Sequence, residues 1–201
     1  MDDILLASND VSLLLETKKF LSSNFDMKDL GEASYVLGIE IHRDRKNGVL
    51  GLSQKAYLEK VLKKYNMHKS STSPAPIVKG DSFGKFQCPK NQYAIDRMKA
   101  VPYASAVGSL QYAQVCTRPD LAFITGVLGR YQENPGQEHW NMVKKALRYV
   151  QGAKDLMLTY RRSDSLELRG YSDLEDFDVL EQYANMKGGF LWYVSVGLEK
   201  F

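Results

Sequence analysis

Two proline-centred breaks constrain this chain more than any other feature. Thr117-Arg118-Pro119 and Asn134-Pro135-Gly136 cut the stretch after Pro102 into segments near 103–115, 119–131 and 137–151. Each segment is too long for an ordinary strand and ends where a helix must stop. The last places Trp140, Val143, Leu147 and Val150 at helical spacing, one apolar stripe that needs a surface to bury it. A set of packed helices follows. The chain has 201 residues, 44% hydrophobic and 25% charged, which suits a globular core and excludes a disordered or collagen-like chain.

The N-terminal third reads differently. Ile4 to Ala7 is a short apolar run, expected as a strand, and Asn9 or Asp10 can cap a helix over 11–23. On that helix Leu14, Lys18 and Leu21 share one side, with Leu13 and Phe20 a step around. Residues 35–43 are β-branched and partly alternating, hence a strand. Asn47-Gly48 predicts a tight hairpin turn and Val49–Leu52 the returning strand. Ser53 can cap a helix of about 54–66. Its apolar stripe is Leu58, Val61, Leu62 and Tyr65, and Lys55, Lys60, Lys63 and Lys64 lie on the other side.

Residues 69–101 show little periodicity and are expected to be a linker. Leu156–Arg161 and Leu166–Tyr171 read as a terminal strand pair joined by residues 162–165. The expected units are 1–68, 69–101, 102–155 and 156–201.

The two cysteines, Cys88 and Cys116, exclude a disulfide scaffold. No apolar run approaches the roughly 20 residues of a membrane helix. The acidic start, Met1-Asp2-Asp3, lacks the basic region of a signal peptide, so an intracellular protein of cytoplasm or nucleus is expected. The net charge of +3 is uneven. Residues 163–201 carry three basic and eight acidic side chains; the rest of the chain carries 24 and 16. A basic body suits a polyanionic partner, and a solvated lysine face gives the same composition. His42, His68 and His139 have no metal-ligand spacing and are expected to be structural or solvated. Trp140 and Tyr149 are expected in helix core rather than in a base-stacking platform.

Asp2-Asp3, at the start of the first expected strand, can hold a hard divalent cation with substrate phosphates. Two solvated acids at a chain end would look the same. The surrounding residues carry a specific resemblance. Asp2-Asp3-Ile4-Leu5-Leu6-Ala7-Ser8-Asn9-Asp10 resembles the Asp-Asp box of reverse transcriptases, and further stretches resemble copia-type long-terminal-repeat retrotransposon Pol polyproteins of plants. They are Phe25–Gly31, Tyr35–Ile41, Leu52–Tyr57, Pro102–Leu110, Cys116–Ala122, Tyr160–Asp164 and Gly170–Asp173, in family order.

The resemblance implies an α+β fold: a partial polymerase palm with a β-hairpin, a helical thumb and connection region, and a short strand pair entering a ribonuclease H domain. It implies RNA-directed DNA polymerisation with Mg²⁺ or Mn²⁺, on an RNA/DNA template–primer duplex. Asp2 and Asp3 would be catalytic carboxylates and metal ligands, and Asp173 the first ribonuclease H carboxylate. Residues 35–52, with Gly38 in the first strand, would be the hairpin that holds the primer end, and Leu37, Gly38 and Ile39 its primer-grip-like residues. Lys28 matches weakly a lysine near the leaving pyrophosphate. Lys55, Lys60, Lys63 and Lys64 on one helix, with Lys144, Lys145 and Arg148 on another, would meet phosphates. The family's third palm aspartate stands upstream of the Asp-Asp box. One residue is inserted in Asp173–Asp178, and the later ribonuclease H carboxylates are not found. The expected state is therefore catalytically inactive, with a non-specific duplex-binding module as the alternative and an inert segment as the third reading.

Overall fold

The computed structural model describes residues 4–78 and 80–162. Asp10 opens helix α1 (Val11–Asn24), its carboxylate accepting from the amides of Ser12 at 2.8 Å and Leu13 at 3.2 Å. Those amides are among the orphan donors of a helix start. The expected orientation holds: Leu14, Lys18 and Leu21 are half-buried. Yet no residue of α1 is buried. The run Ile4–Ala7 forms no strand, and Ile4 and Leu5 stand exposed, because no described strand lies beside them to take their backbone hydrogen bonds.

The strand expected over 35–43 is broken. Strand β1 is Tyr35–Val36, Leu37 and Gly38 turn the chain, and β2 is Ile39–Asp44. The next connection also differs from the two-residue Asn-Gly turn. Asp44 pairs with Val49, so four residues form the loop. The Asp44 side chain accepts from the amide of Asn47 at 3.0 Å and fixes the loop from inside. Strand β3 (Val49–Ser53) then runs into helix α2 (Lys55–Lys64). Gln54 takes the N-cap position, and Ser53 contributes by accepting from the Lys55 amide at 3.3 Å.

Residues 69–101 are more structured than the expected linker. They carry a 3₁₀ turn at Lys85–Gln87 and helix α3 (Gln92–Lys99), capped by Asn91 on the Ala94 amide at 2.8 Å. Phe83 and Met98 are buried. Helices α4 (Tyr103–Cys116), α5 (Ala122–Gly129, after a 3₁₀ turn at Pro119–Leu121) and α6 (Gln137–Gly152) follow the three predicted segments. Gly136 before α6 is required by close approach: a β-carbon there would lie 1.8 Å from the Gln87 carbonyl oxygen.

One core joins α2, α4, α5 and α6. It contains Leu58, Val61, Leu62, Ala106, Val107, Leu110, Leu121, Ile124, Leu128, Val143, Leu147 and Val150, each 5% exposed or less. Burying a side chain of this kind contributes about 1.5–3 kcal/mol. Trp140, expected in the stripe, is only partly buried and packs on the outside of the core; the adjacent His139 is buried instead.

Strand β4 (Leu158–Arg161) pairs antiparallel with β3, Leu52 opposite Leu158 and Val49 opposite Arg161. The sheet order is β1-β2-β3-β4. Residues 158–161 thus join the N-terminal hairpin in one sheet, rather than forming only a separate terminal pair. The other half of the expected pair, Leu166–Tyr171, lies outside the described residues. The described chain is α+β, six helices with a four-stranded antiparallel sheet.

Candidate nucleic-acid interface

Helix α2 sorts its residues as an amphipathic helix should. Leu58, Val61 and Leu62 face the core, and Lys55, Lys60, Lys63 and Lys64 are exposed. The lysines are not equivalent. Lys55 is paired with Asp155 at 2.6 Å, and the hydrogen bond to that carboxylate raises its pKa. Lys64 donates to Ser105 Oγ at 2.9 Å and sits 5.2 Å from the Tyr65 ring, so it is held upright against α4 by neutral groups. Lys60 and Lys63 have no ion pair among the described residues. Lys60, Lys63 and Lys64 thus form an exposed row on one helix with no ion pair among the described residues.

Helix α6 offers less. Lys145 is ion-paired with Asp81 at 2.5 Å, both side chains largely covered, and spans 64 residues to do so. It anchors the segment before the 3₁₀ turn onto α6 instead of facing solvent. Lys144 and Arg148 are half-buried. The two helices therefore do not present matching basic faces.

The tip of the β1–β2 hairpin is the strained point of the described chain. Leu37 has φ +50° and Gly38 φ +79°. Positive φ at both central positions is the geometry of a tight two-residue hairpin, normally filled by Asn-Gly or Gly-Gly. A leucine there costs about 1–2 kcal/mol, because its Cβ crowds the following carbonyl. Leu37 is also 80% exposed, the most exposed large apolar side chain among the described residues. Its carbonyl accepts a hydrogen bond from the Tyr112 hydroxyl on α4 at 2.5 Å. The Tyr112 ring packs edge-on against Tyr57, centroids 5.0 Å apart, and Tyr57 donates to the Ser109 carbonyl at 3.1 Å. Ile39, the third tip residue, pairs with Val36 and is half-buried.

Asp2, Asp3 and Asp173 lie outside the described residues, so no metal geometry is drawn around them. Lys28 is exposed in the loop after α1. Among the described residues no three His, Cys, Asp or Glu side chains come together as a metal site. Nor is any described helix long and apolar enough to cross a membrane.

Two polar networks escaped the sequence reading. Arg118 is buried, its guanidinium donating to both Asp120 oxygens at 3.0 and 2.7 Å and to the Ala153 carbonyl at 2.8 Å. Tyr149 donates to the same Asp120 at 2.7 Å. Burial alone would raise the Asp120 carboxyl; the hydrogen bonds from Arg118 and Tyr149 outweigh it and hold the pKa below the ordinary value. This set ties α4, α5 and the end of α6 together, a structural role. The only local signal is Arg118 beside Pro119-Asp120, where the sequence predicts a helix break. His139 is fully buried at the start of α6, stacked on Tyr131 at 4.0 Å. Its Nδ1 accepts from the Gly136 amide at 2.9 Å. Burial lowers its pKa. The Gly84 backbone offsets part of that shift, although Nε2 reaches no partner within hydrogen-bonding geometry.

The comparisons with known proteins agree with the motifs. A family model described as reverse transcriptase (RNA-dependent DNA polymerase) matches residues 1–79. The retrovirus-related Pol polyprotein from transposon TNT 1-94 of Nicotiana tabacum is 44% identical over 175 residues, 87% of this chain and 13% of that protein. The Pol polyprotein from transposon RE2 of Arabidopsis thaliana is 32% identical over 188 residues, 94% of this chain and 12% of that protein. An uncharacterized mitochondrial protein of Arabidopsis thaliana is 31% identical over 175 residues, 86% of this chain and 68% of its own length. The chain thus spans only 12–13% of the Pol polyproteins it matches. No solved structure gives a significant match. With a match to a reverse transcriptase model at its N-terminal end and Pol relatives aligned over most of its length, the chain belongs to the reverse transcriptase family of copia-type retrotransposon Pol polyproteins.

Proposed function

We propose that this segment holds the template–primer duplex of a reverse transcriptase by its phosphates, without chemistry of its own. The observation that carries the reading is the α2 face, where Lys60, Lys63 and Lys64 are exposed and outnumber the single carboxylate of that helix, Glu59, with no ion pair among the described residues. On this reading the β1–β2–β3 hairpin belongs to the palm, and α2 with α4–α6 to the thumb and connection. Leu37, Gly38 and Ile39 meet the primer end. The partner is an RNA/DNA duplex, met inside the cell.

Catalysis in the family is nucleotidyl transfer assisted by Mg²⁺ or Mn²⁺. Asp2 and Asp3 are the donor type such hard cations take. A two-metal centre needs several carboxylates to share the ions. A segment that only holds the duplex gives no primer extension on a poly-rA template. Extension abolished by Asp2→Asn or Asp3→Asn would give the chain a catalytic role after all.

Binding is the direct test. Each neutralised phosphate contributes about −0.9 to the log–log salt slope. Three free lysines predict a slope near −3, with an affinity of about 10⁻⁴–10⁻⁶ M near physiological salt. Contacts to phosphate carry no base information, so scrambled sequences bind alike. In fluorescence anisotropy, Lys60→Ala with Lys63→Ala flattens the slope by about 2. Salt-independent binding, or none at low salt, defeats the reading.

A further inference from the structure

Leu37 breaks two rules at once. It holds a backbone conformation that suits glycine or asparagine, and it displays an apolar side chain to water. Neither local propensity nor burial accounts for a leucine there, and strain of this kind persists only where surrounding structure enforces it. The enforcement is visible. Strand β1 is two residues long and cannot fix the tip by itself. The hydroxyl of Tyr112 reaches across from α4 and takes the Leu37 carbonyl, the bond that joins the turn to the helical body. Tyr112 is itself braced by the Tyr57 ring, which α2 supplies.

We infer that Tyr112 is a positioning residue: it sets the height and orientation of the Leu37-Gly38 turn, so that α4 and the hairpin meet a bound duplex as one rigid surface. Tyr112 itself touches no nucleic acid. Leu37 is the contact it presents, an apolar side chain suited to the uncharged face of a sugar or a base. The inference rests on the duplex-holding reading, but the turn can be tested without any nucleic acid. The same exposed helix face that carries Lys64 is tied to Ser105 on α4, so the lysines and the tip share one support.

The experiment uses the full chain, with Tyr112→Phe and Leu37→Asn. Tyr112→Phe keeps the ring on Tyr57 and removes only the hydroxyl. Hydrogen exchange at the closing pair, Val36 and Ile39, is expected to rise on the order of fivefold, the effect of one net hydrogen bond, while α2 and α4 are unchanged. Affinity for a fluorescein-labelled RNA–DNA hybrid with a recessed 3′ end falls by a similar factor, with the salt slope unaltered because the phosphate contacts are intact. Leu37→Asn, which relaxes the positive φ, raises thermal stability and yet weakens binding. That opposite sign is not produced by a merely structural residue. Unchanged exchange at Val36 and Ile39 in Tyr112→Phe overturns the inference. Raised exchange with unchanged affinity also overturns it, and leaves the lysine reading standing. Loss of salt-dependent binding in the unaltered chain would defeat both, whatever the exchange shows.

Discussion

Leu15 and Leu147 are both helical leucines, yet Leu15 on α1 is 60% exposed and Leu147 on α6 is fully buried. Part of the difference is in the helices' own patterns: α6 gathers its apolar residues in one stripe, whereas α1 spreads them around and has Lys18 on its half-buried side. Helix α6 meets α2, α4 and α5 across a shared core. Among the described residues α1 meets little: its cross-link is the surface Lys18–Asp29 pair at 3.0 Å, and Val11, Leu13 and Phe20 also stand exposed. Periodicity chooses a face, but only a facing surface turns that face into stability. The described chain is thus a well-filled helical body with an N-terminal arm that contributes little to holding it together.

The largest effect expected is in the body. Leu147→Ala removes a fully buried side chain and should cost about 3–5 kcal/mol in denaturant unfolding. A cost below about 1 kcal/mol would mean that α6 is as loosely held as α1. Next is the buried ion pair. Asp120→Ala leaves Arg118 charged, buried and without its carboxylate, at about 3 kcal/mol. The same pair predicts acid sensitivity. The folded pKa of Asp120 is depressed, so its contribution is complete above the ordinary carboxylate value of 3.8 and is lost as pH falls through the folded value.

His139 gives a smaller effect at milder pH. Its folded pKa is lowered by burial, so below about 6.5 the unfolded chain takes up the proton and the folded one does not. Stability should fall with decreasing pH from that point, by at most about 1.4 kcal/mol per pH unit. His139→Gln should flatten the profile in the range just below pH 6.5. The smallest effect is in the arm. Leu15→Ala should change stability by less than about 0.5 kcal/mol, and amide exchange in α1 should run far ahead of residues 143–150. Equal protection in the two helices would erase the contrast.

The same contrast governs how much could be read from the residues alone. The stripe Leu58, Val61, Leu62 and Tyr65 was legible because the helical period and the core agree there, and so were the breaks at Pro119 and Gly136. Helix α3 was not, since its eight residues carry only a short apolar side, Ala94, Ile95 and Met98, of which Met98 alone is buried; a further local signal was the cap at Asn91. The turn at Leu37-Gly38 went unseen because leucine seldom takes positive φ, and the force that holds it comes from Tyr112, 75 residues away. Lys145 was expected to meet phosphates, and its pairing with Asp81 was illegible for the same reason: Asp81 is distant in sequence. At the candidate interface the α2 lysines were legible as exposed charge. Which of them stay unpaired was decided by tertiary contacts.

The sheet has a consequence for how this chain assembles. Strands β2 and β3 are neighbours in sequence and can close early, with a short loop. Strand β4 reaches β3 only after roughly a hundred intervening residues have been brought together, a far costlier closure for a free chain. The helical body is therefore expected to condense before residue 158 meets its partner, with the β3–β4 pairing closing after the hairpin. A nick in the exposed loops between α2 and α6 would loosen the outer strand while sparing the hairpin beside it.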